Sequence, residues 1–134
     1  MTTPDEIVSS FYDAYNRHDA VAAVGLYEEA CSHADVAFGA VREGRAALVE
    51  GLSGFFRMMP DAVWRERERV VSGASVAVVY TLTGHVAPRG RPGEAPAAAR
   101  AIDLPGIHLF ELGEGGIRST RDYWDAAEFR RQMG

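Results

Sequence analysis

The second half of the chain constrains the fold most, because strand patterns follow one another there with no helical period between them. Residues 62–73, AVWRERERVVSG, alternate, with Arg65, Arg67 and Arg69 on one face and Trp64, Glu66 and Glu68 on the other. Residues 75–86, SVAVVYTLTGHV, are β-branched and mostly apolar, the pattern of a strand covered on both faces. The segment APRGRPGEAPAA, 87–98, reads as a mobile rim or lid. Residues 99–112 and 117–124 then form a hairpin around a glycine-rich turn.

The first half is helical. Thr3 is placed to cap a helix, with Pro4 at its first position and Glu6 closing a capping box. Ile7, Val8, Phe11, Tyr12 and Tyr15 recur at helical spacing to about Arg17. Asp19 caps a second helix over Ala20–Glu29 that buries Val21, Val24 and Leu26, and residues 31–42 read as a short strand or hairpin. A third helix, Glu43 to Met58, buries Ala47, Leu48, Leu52, Phe55 and Phe56 and stops at Met59-Pro60-Asp61. Asp125 and Glu128 form the capping box of a last short helix. Helices first and long antiparallel strands after is an α+β plan, here one domain over residues 1–134.

Composition narrows the chemistry. The net charge of −5, without a basic block, argues against a nucleic-acid partner. No apolar run approaches the ~20 residues of a membrane span. The start MTTPDEIVSS lacks the basic-then-apolar order of a leader, so no membrane association and a cytoplasmic location are expected. Every cation is an arginine, which excludes side-chain Schiff bases and Ser–Lys chemistry. Cys31 is the single cysteine and reads as a small, half-buried side chain. The four histidines have no close metal-ligand spacing, so no metal is expected.

Two titratable groups stand in the apolar arms of the hairpin: His108 in GIHLFELG and Asp122 in STRDYW. Their even separation lets both side chains share one sheet face where no bulge intervenes. Structural roles compete with chemical ones. Asp122 could pair with Arg100, Arg118 or Arg121 on the outer face, and His108 could be a satisfied core histidine. Asp125 has a sufficient role as a helix cap.

Four stretches together resemble the nuclear transport factor 2-like fold and, within it, the SnoaL-like polyketide cyclases. They are FYDAYNRHDAVAAVGLYEE, REGRAALVEGLSGFFRMMPDAVW, TLTGHVAPRGRPG and GGIRSTRDYWDAAEFRRQMG. The resemblance implies a cone in which N-terminal helices pack on a curved, mostly antiparallel sheet and enclose a pocket. It implies an intramolecular aldol ring closure with no cofactor, in which Asp122 is the acid/base and His108 assists it. Tyr12 and Tyr15 become candidate pocket hydroxyls, His33 and Asp35 stand at the expected mouth, and Phe56, Trp64, Tyr80 and Trp124 are candidate lining. A small hydrophobic, polyketide-like substrate and a homodimer follow from the same resemblance.

The chemistry is consistent with such a site. Ring closure needs a base for a carbon flanked by carbonyls, and donors for the enolate oxygen. A carboxylate in an apolar pocket has its pKa raised, and the activated carbon is acidic enough to need no metal. Other activities of the fold fit less well. Asp35 lies where the base of ketosteroid isomerases falls, nine residues before Gly44, but their oxyanion donors fall on Phe11 and His108. Related epoxide hydrolases use an Asp–Arg–Asp set for which no matching spacing stands here, so a hydrolase fits less well still. A hydroxylase stays open, as does a non-catalytic small-molecule binding or assembly protein of the same fold.

Overall fold

The computed structural model describes residues 2–87, 93 and 98–134, so most of the expected rim over 87–98 lies outside the described residues. Helix α1 (Pro4–Asn16) opens as its sequence dictates. The Thr3 hydroxyl oxygen accepts from the Glu6 N–H, and the hydroxyl donates to the Glu6 carboxylate. Such a cap stabilises a helix by about 1 kcal/mol. The helix buries Val8, Phe11, Tyr12, Ala14 and Tyr15.

Helix α2 (Ala20–Val24) is far shorter than its expected extent. It stops at Gly25, and Leu26 accepts a hydrogen bond from the N–H of Ile117, so the chain is already turning into sheet. Its buried residues are Ala20, Ala23 and Val24, while Val21 is exposed. Strand β1 (Tyr27–Asp35) and the short β2 (Ala40–Glu43) follow, the hairpin expected near 31–42 with an earlier start. Helix α3 (Arg45–Met58) buries Leu48 and Phe56, with Ala47, Leu52 and Phe55 half-buried.

The remaining strands are β3 (Val63–Ser72), β4 (Ser75–Val86), β5 (Arg100–Gly113) and β6 (Gly116–Trp124). Helix α4 (Ala126–Met133) closes the chain, and the Asp125 carboxylate caps it by accepting from the Ala127 and Glu128 N–H groups. The six strands form one sheet in the order β2-β1-β6-β5-β4-β3. All neighbours are antiparallel except β1 and β6, which run parallel. The architecture is α+β, with the helices against the sheet's inner face.

Strand β4 is not covered equally on both sides. Val76, Val78, Tyr80, Leu82, Gly84 and Val86 are buried, whereas Ser75, Ala77, Val79, Thr81 and Thr83 between them are half-buried. Helices cover only the inner face, so antiparallel alternation wins over the near-continuous apolar run.

Two one-residue irregularities reset which side chains face inward. In β3 the register shifts between Glu66 and Glu68, so Arg67 has no partner on β4. Arg69 thereby leaves the face it would share with Arg65. Its side chain is 14% exposed and meets the Asp5 carboxylate, the Ser9 hydroxyl and Glu66. In the β5–β6 hairpin, Gly113 pairs with Gly116 and Leu112 with Ile117, but Glu111 pairs with Ser119. Arg118 is the extra residue. Continuing the turn's register without it would set Arg121 opposite His108; the shift sets Asp122 there. The even spacing of His108 and Asp122 therefore places them on one face because a bulge intervenes, the reverse of the sequence condition.

Gly116 sits beside this bulge at φ +136°, and an added Cβ would overlap the Leu26 carbonyl oxygen. Gly116→Ala is expected to lower stability by more than ~1 kcal/mol, since neither the backbone angle nor the space suits a side chain. Urea unfolding measures this, and an unchanged midpoint would contradict the packing described.

Candidate active site

One lateral row of the sheet carries most of the titratable chemistry. Asp35 on β1 is the register partner of Asp122 on β6, and Asp122 is the partner of His108 on β5. The adjoining rows support it from both sides. In one, His33 Nδ1 lies 2.7 Å from the Thr120 hydroxyl, which also pairs with the Tyr27 hydroxyl at 2.7 Å. In the other, Tyr80 on β4 partners Gly106, which partners Trp124.

Both oxygens of Asp122 are engaged. The Tyr80 hydroxyl donates to Oδ1 at 2.6 Å, and His108 Nε2 stands 3.4 Å from Oδ2. The other ring nitrogen, Nδ1, lies 2.6 Å from the Tyr12 hydroxyl. With Tyr12 donating, the neutral ring carries its proton on Nε2, toward the carboxylate. Tyr12, His108, Asp122 and Tyr80 thus form one continuous polar chain across α1, β5, β6 and β4.

Glycine makes the last link possible. A Cβ at Gly106 would overlap the ring and hydroxyl of Tyr80. Only a bare backbone on β5 lets that phenol cross to Asp122.

The electrostatics differ from the sequence expectation. Burial pushes the Asp122 carboxyl up, but His108, the Tyr80 hydroxyl and His33 outweigh it, and the pKa falls below the ordinary aspartate value. Asp122 is thus a fully ionised, weak base rather than one strengthened by an apolar pocket. Asp35 moves the other way: burial and then the charge of Asp122 raise it, against donors from Trp124, Phe38 and Ala37. Burial likewise raises the phenols of Tyr12, Tyr15 and Tyr80, which keeps them protonated donors.

The expected residues divide into three groups. Asp122, His108, Tyr12, Tyr80, Asp35 and Trp124 come together, with the Trp124 indole N–H donating to Asp35 Oδ1 at 3.0 Å. His33 joins one row away. Phe56 and Trp64 do not join: Phe56 stacks on His18, and Trp64 packs on Tyr15, Phe55 and Phe56. Tyr15 lies between, its ring edge-on to that of His108.

His108 does not face open space. Its side chain is 1% exposed, and Phe11, Tyr12, Tyr15, Tyr80 and Phe110 surround its ring with centroids 4.8–6.0 Å away. It can reach a ligand only through Asp122, whose side chain is 19% exposed. Two open surface hollows lie elsewhere among the described residues. One is lined by Arg17, His18, Ser53 and Phe56, the other by Pro4, Ile7, Ala74 and Leu112. The pocket expected between sheet and helices is, around His108, filled by rings. No group of three His, Cys, Asp or Glu side chains among the described residues is placed to hold a metal ion.

The sequence does not single out Thr120 or Gly106. Thr120 is 1% exposed and bridges Tyr27 to His33. A glycine inside an apolar strand was the available signal for Gly106; nothing marked Thr120.

Burial and then the charge of His108 lower the His33 pKa to about 4. A folded value below the unfolded ~6.5 means the unfolded chain binds the extra proton first. The stability His33 contributes is therefore intact above pH ~6.5 and lost as pH falls toward 4. His33→Gln should flatten that part of the stability–pH curve in urea titrations. A variant curve parallel to the unmodified one would contradict the buried, neutral imidazole.

Comparison with known proteins places this geometry. The chain matches the family model described as a SnoaL-like domain over residues 8–120. A protein from Xanthomonas campestris pv. campestris, proposed to be a polyketide cyclase, is 25% identical with a TM-score of 0.78, covering 98% of this chain and 96% of that one. A second such protein, from Pseudomonas putida KT2440, is 24% identical with a TM-score of 0.79, covering 98% of each chain. A Catenulispora acidiphila protein with a ketosteroid isomerase-like fold, solved with trimethylamine, is 21% identical with a TM-score of 0.81, covering 97% and 93%. The fold is shared across these structures, and with the family model spanning most of its length the chain belongs to the SnoaL-like domain family.

Proposed function

We propose that this chain is a cofactor-independent polyketide cyclase-type enzyme that closes a ring by intramolecular aldol addition. The observation that carries the reading is the Tyr12–His108–Asp122–Tyr80 chain, in which the Asp122 carboxylate is still partly open to solvent. Asp122 is the base. It takes a proton from a carbon held between two carbonyls, where a weak but fully ionised carboxylate suffices. His108 is a positioning residue: it fixes the carboxylate's orientation and lowers its pKa without touching the substrate.

The substrate is a small, apolar, polyketide-like chain seated at the Asp122 end of the sheet. Phe38 and Phe129 pack edge-on against Trp124 there. The protein works as a homodimer through the outer sheet face, where Val79, Ile107 and Tyr123 form an apolar row with Ile107 and Tyr123 exposed.

One observation favours a second reading, a non-catalytic binding protein of the same fold: aromatic rings occupy the space around His108. Linear poly-β-ketone esters of stepped length separate the two. A cyclase converts one of them to a ring isomer; a binding protein retains it unchanged. Asp122→Asn is expected to fold normally and abolish closure. His108→Ala should lower kcat by less than Asp122→Asn does and move the acidic limb of the pH profile upward. Full turnover by Asp122→Asn, or an unmoved acidic limb in His108→Ala, would overturn these assignments.

A further inference from the structure

We propose that Asp35 is the proton donor of this site: it protonates the oxygen that gains charge when the new carbon–carbon bond forms, while Asp122 takes the carbon-bound proton. The inference rests on the cyclase reading above and adds the second half of its acid–base cycle.

Placement is the first argument. Asp35 and Asp122 are register partners on the parallel strands β1 and β6, whose spacing is about 4.8 Å. The bonds on either side fix which way both point. One side-chain step earlier on the same face, His33 reaches Thr120; one step later, Trp124 reaches back to Asp35. Side chains alternate along a strand, so Asp35 and Asp122 stand side by side on the face that carries His108.

Asymmetry is the second. Asp122 is held by a phenol on one oxygen and an imidazole on the other. Asp35 accepts from the neutral indole of Trp124 and from the backbone N–H groups of Phe38 and Ala37, which do not offset its burial and the charge of Asp122, and no cation pairs with it among the described residues. The charged group that acts on it is Asp122 on β6; His33 lies two residues earlier on β1, and Arg42 on β2 is the register partner of His33. Two adjacent carboxylates do not ionise equally, and the better-held anion is the one whose donors outweigh the cost of its burial. Asp122 therefore carries the charge, and the raised pKa of Asp35 agrees with its holding the proton more tightly.

The step balances with these two groups alone. Asp122 accepts the proton from the carbon between the carbonyls, and the C–H electron pair enters the enolate. The enolate carbon bonds to the distant carbonyl carbon, whose π pair moves to oxygen. Asp35 gives its proton to that oxygen, leaving a β-hydroxy ketone isomeric with the substrate. Asp122 is then protonated and Asp35 ionised, and one proton passing between them through solvent restores the starting state.

The two halves can be read separately. For the unmodified chain in D2O, a 2-alkyl-1,3-diketone probe reports proton removal as deuterium exchange at the activated carbon, and ring closure of the polyketone ester reports the whole cycle. Asp35→Asn keeps an oxygen for the Trp124 indole, so it is expected to retain exchange within about threefold. Its closure should fall by about 10²–10⁴-fold, and Asp122→Asn should lose both. Carboxyl-carbon NMR of the unmodified chain should show Asp35 titrating above Asp122, and Asp35 should shift downward in Asp122→Asn. Unimpaired closure by Asp35→Asn, equal loss of exchange and closure in that variant, or an Asp35 titration indifferent to Asp122 would each overturn the proposal alone. Absence of both exchange and closure in the unmodified chain would instead overturn the cyclase reading and this inference with it.

Discussion

The site depends on one extra residue in strand β6. Gly113 and Gly116 close a tight two-residue turn, and the register they start would face His108 with Arg121. Arg118 bulges, the register moves by one, and Asp122 takes that place. The same shift turns Thr120 and Trp124 inward beside it. Every polar contact described for β6 on the inner face follows from that slip: Thr120 with Tyr27 and His33, Asp122 with Tyr80 and His108, Trp124 with Asp35.

Around this row the sheet solves a packing problem as well as a chemical one. A carboxylate brought among aromatic rings loses hydration, a cost usually of several kcal/mol unless partners compensate. Tyr80 and His108 supply those partners, and Tyr12 satisfies the far side of the imidazole. The rings that enclose His108 also exclude water from that side, which strengthens its interaction with Asp122. Asp122 alone of the pair keeps an opening to solvent. A buried imidazole backing an accessible carboxylate divides the labour: the first orients, the second meets the ligand.

Much of this was legible in the sequence, for identifiable reasons. Thr3-Pro4-Asp5-Glu6 and Asp125-Ala-Ala-Glu128 carry local capping chemistry, and both helices start where those residues dictate. The long strands announced themselves through β-branched residues, and His108 and Asp122 stood out as polar groups in apolar arms. What stayed hidden was set by tertiary pairing. The five-residue α2 yields to strand β1 because Leu26 and Tyr27 have β6 beside them. Arg67 and Arg118 look like any other strand residues, yet they are the bulges that turn Arg69 and Asp122 inward. The sign of the Asp122 shift was hidden for the same reason: burial alone would raise it, and the opposing donors come from β4 and β5.

The register claim has a direct test in solution. Cross-strand backbone NOEs from His108 identify its partner, since directly opposed antiparallel residues have Cα atoms only about 4.5–5.5 Å apart. The strongest cross-strand contact of His108 is expected with Asp122, with Glu111 contacting Ser119 and Leu112 contacting Ile117 on either side of Arg118. A dominant contact between His108 and Arg121 would mean that no bulge forms and that the carboxylate points to the outer face, with no site beneath it.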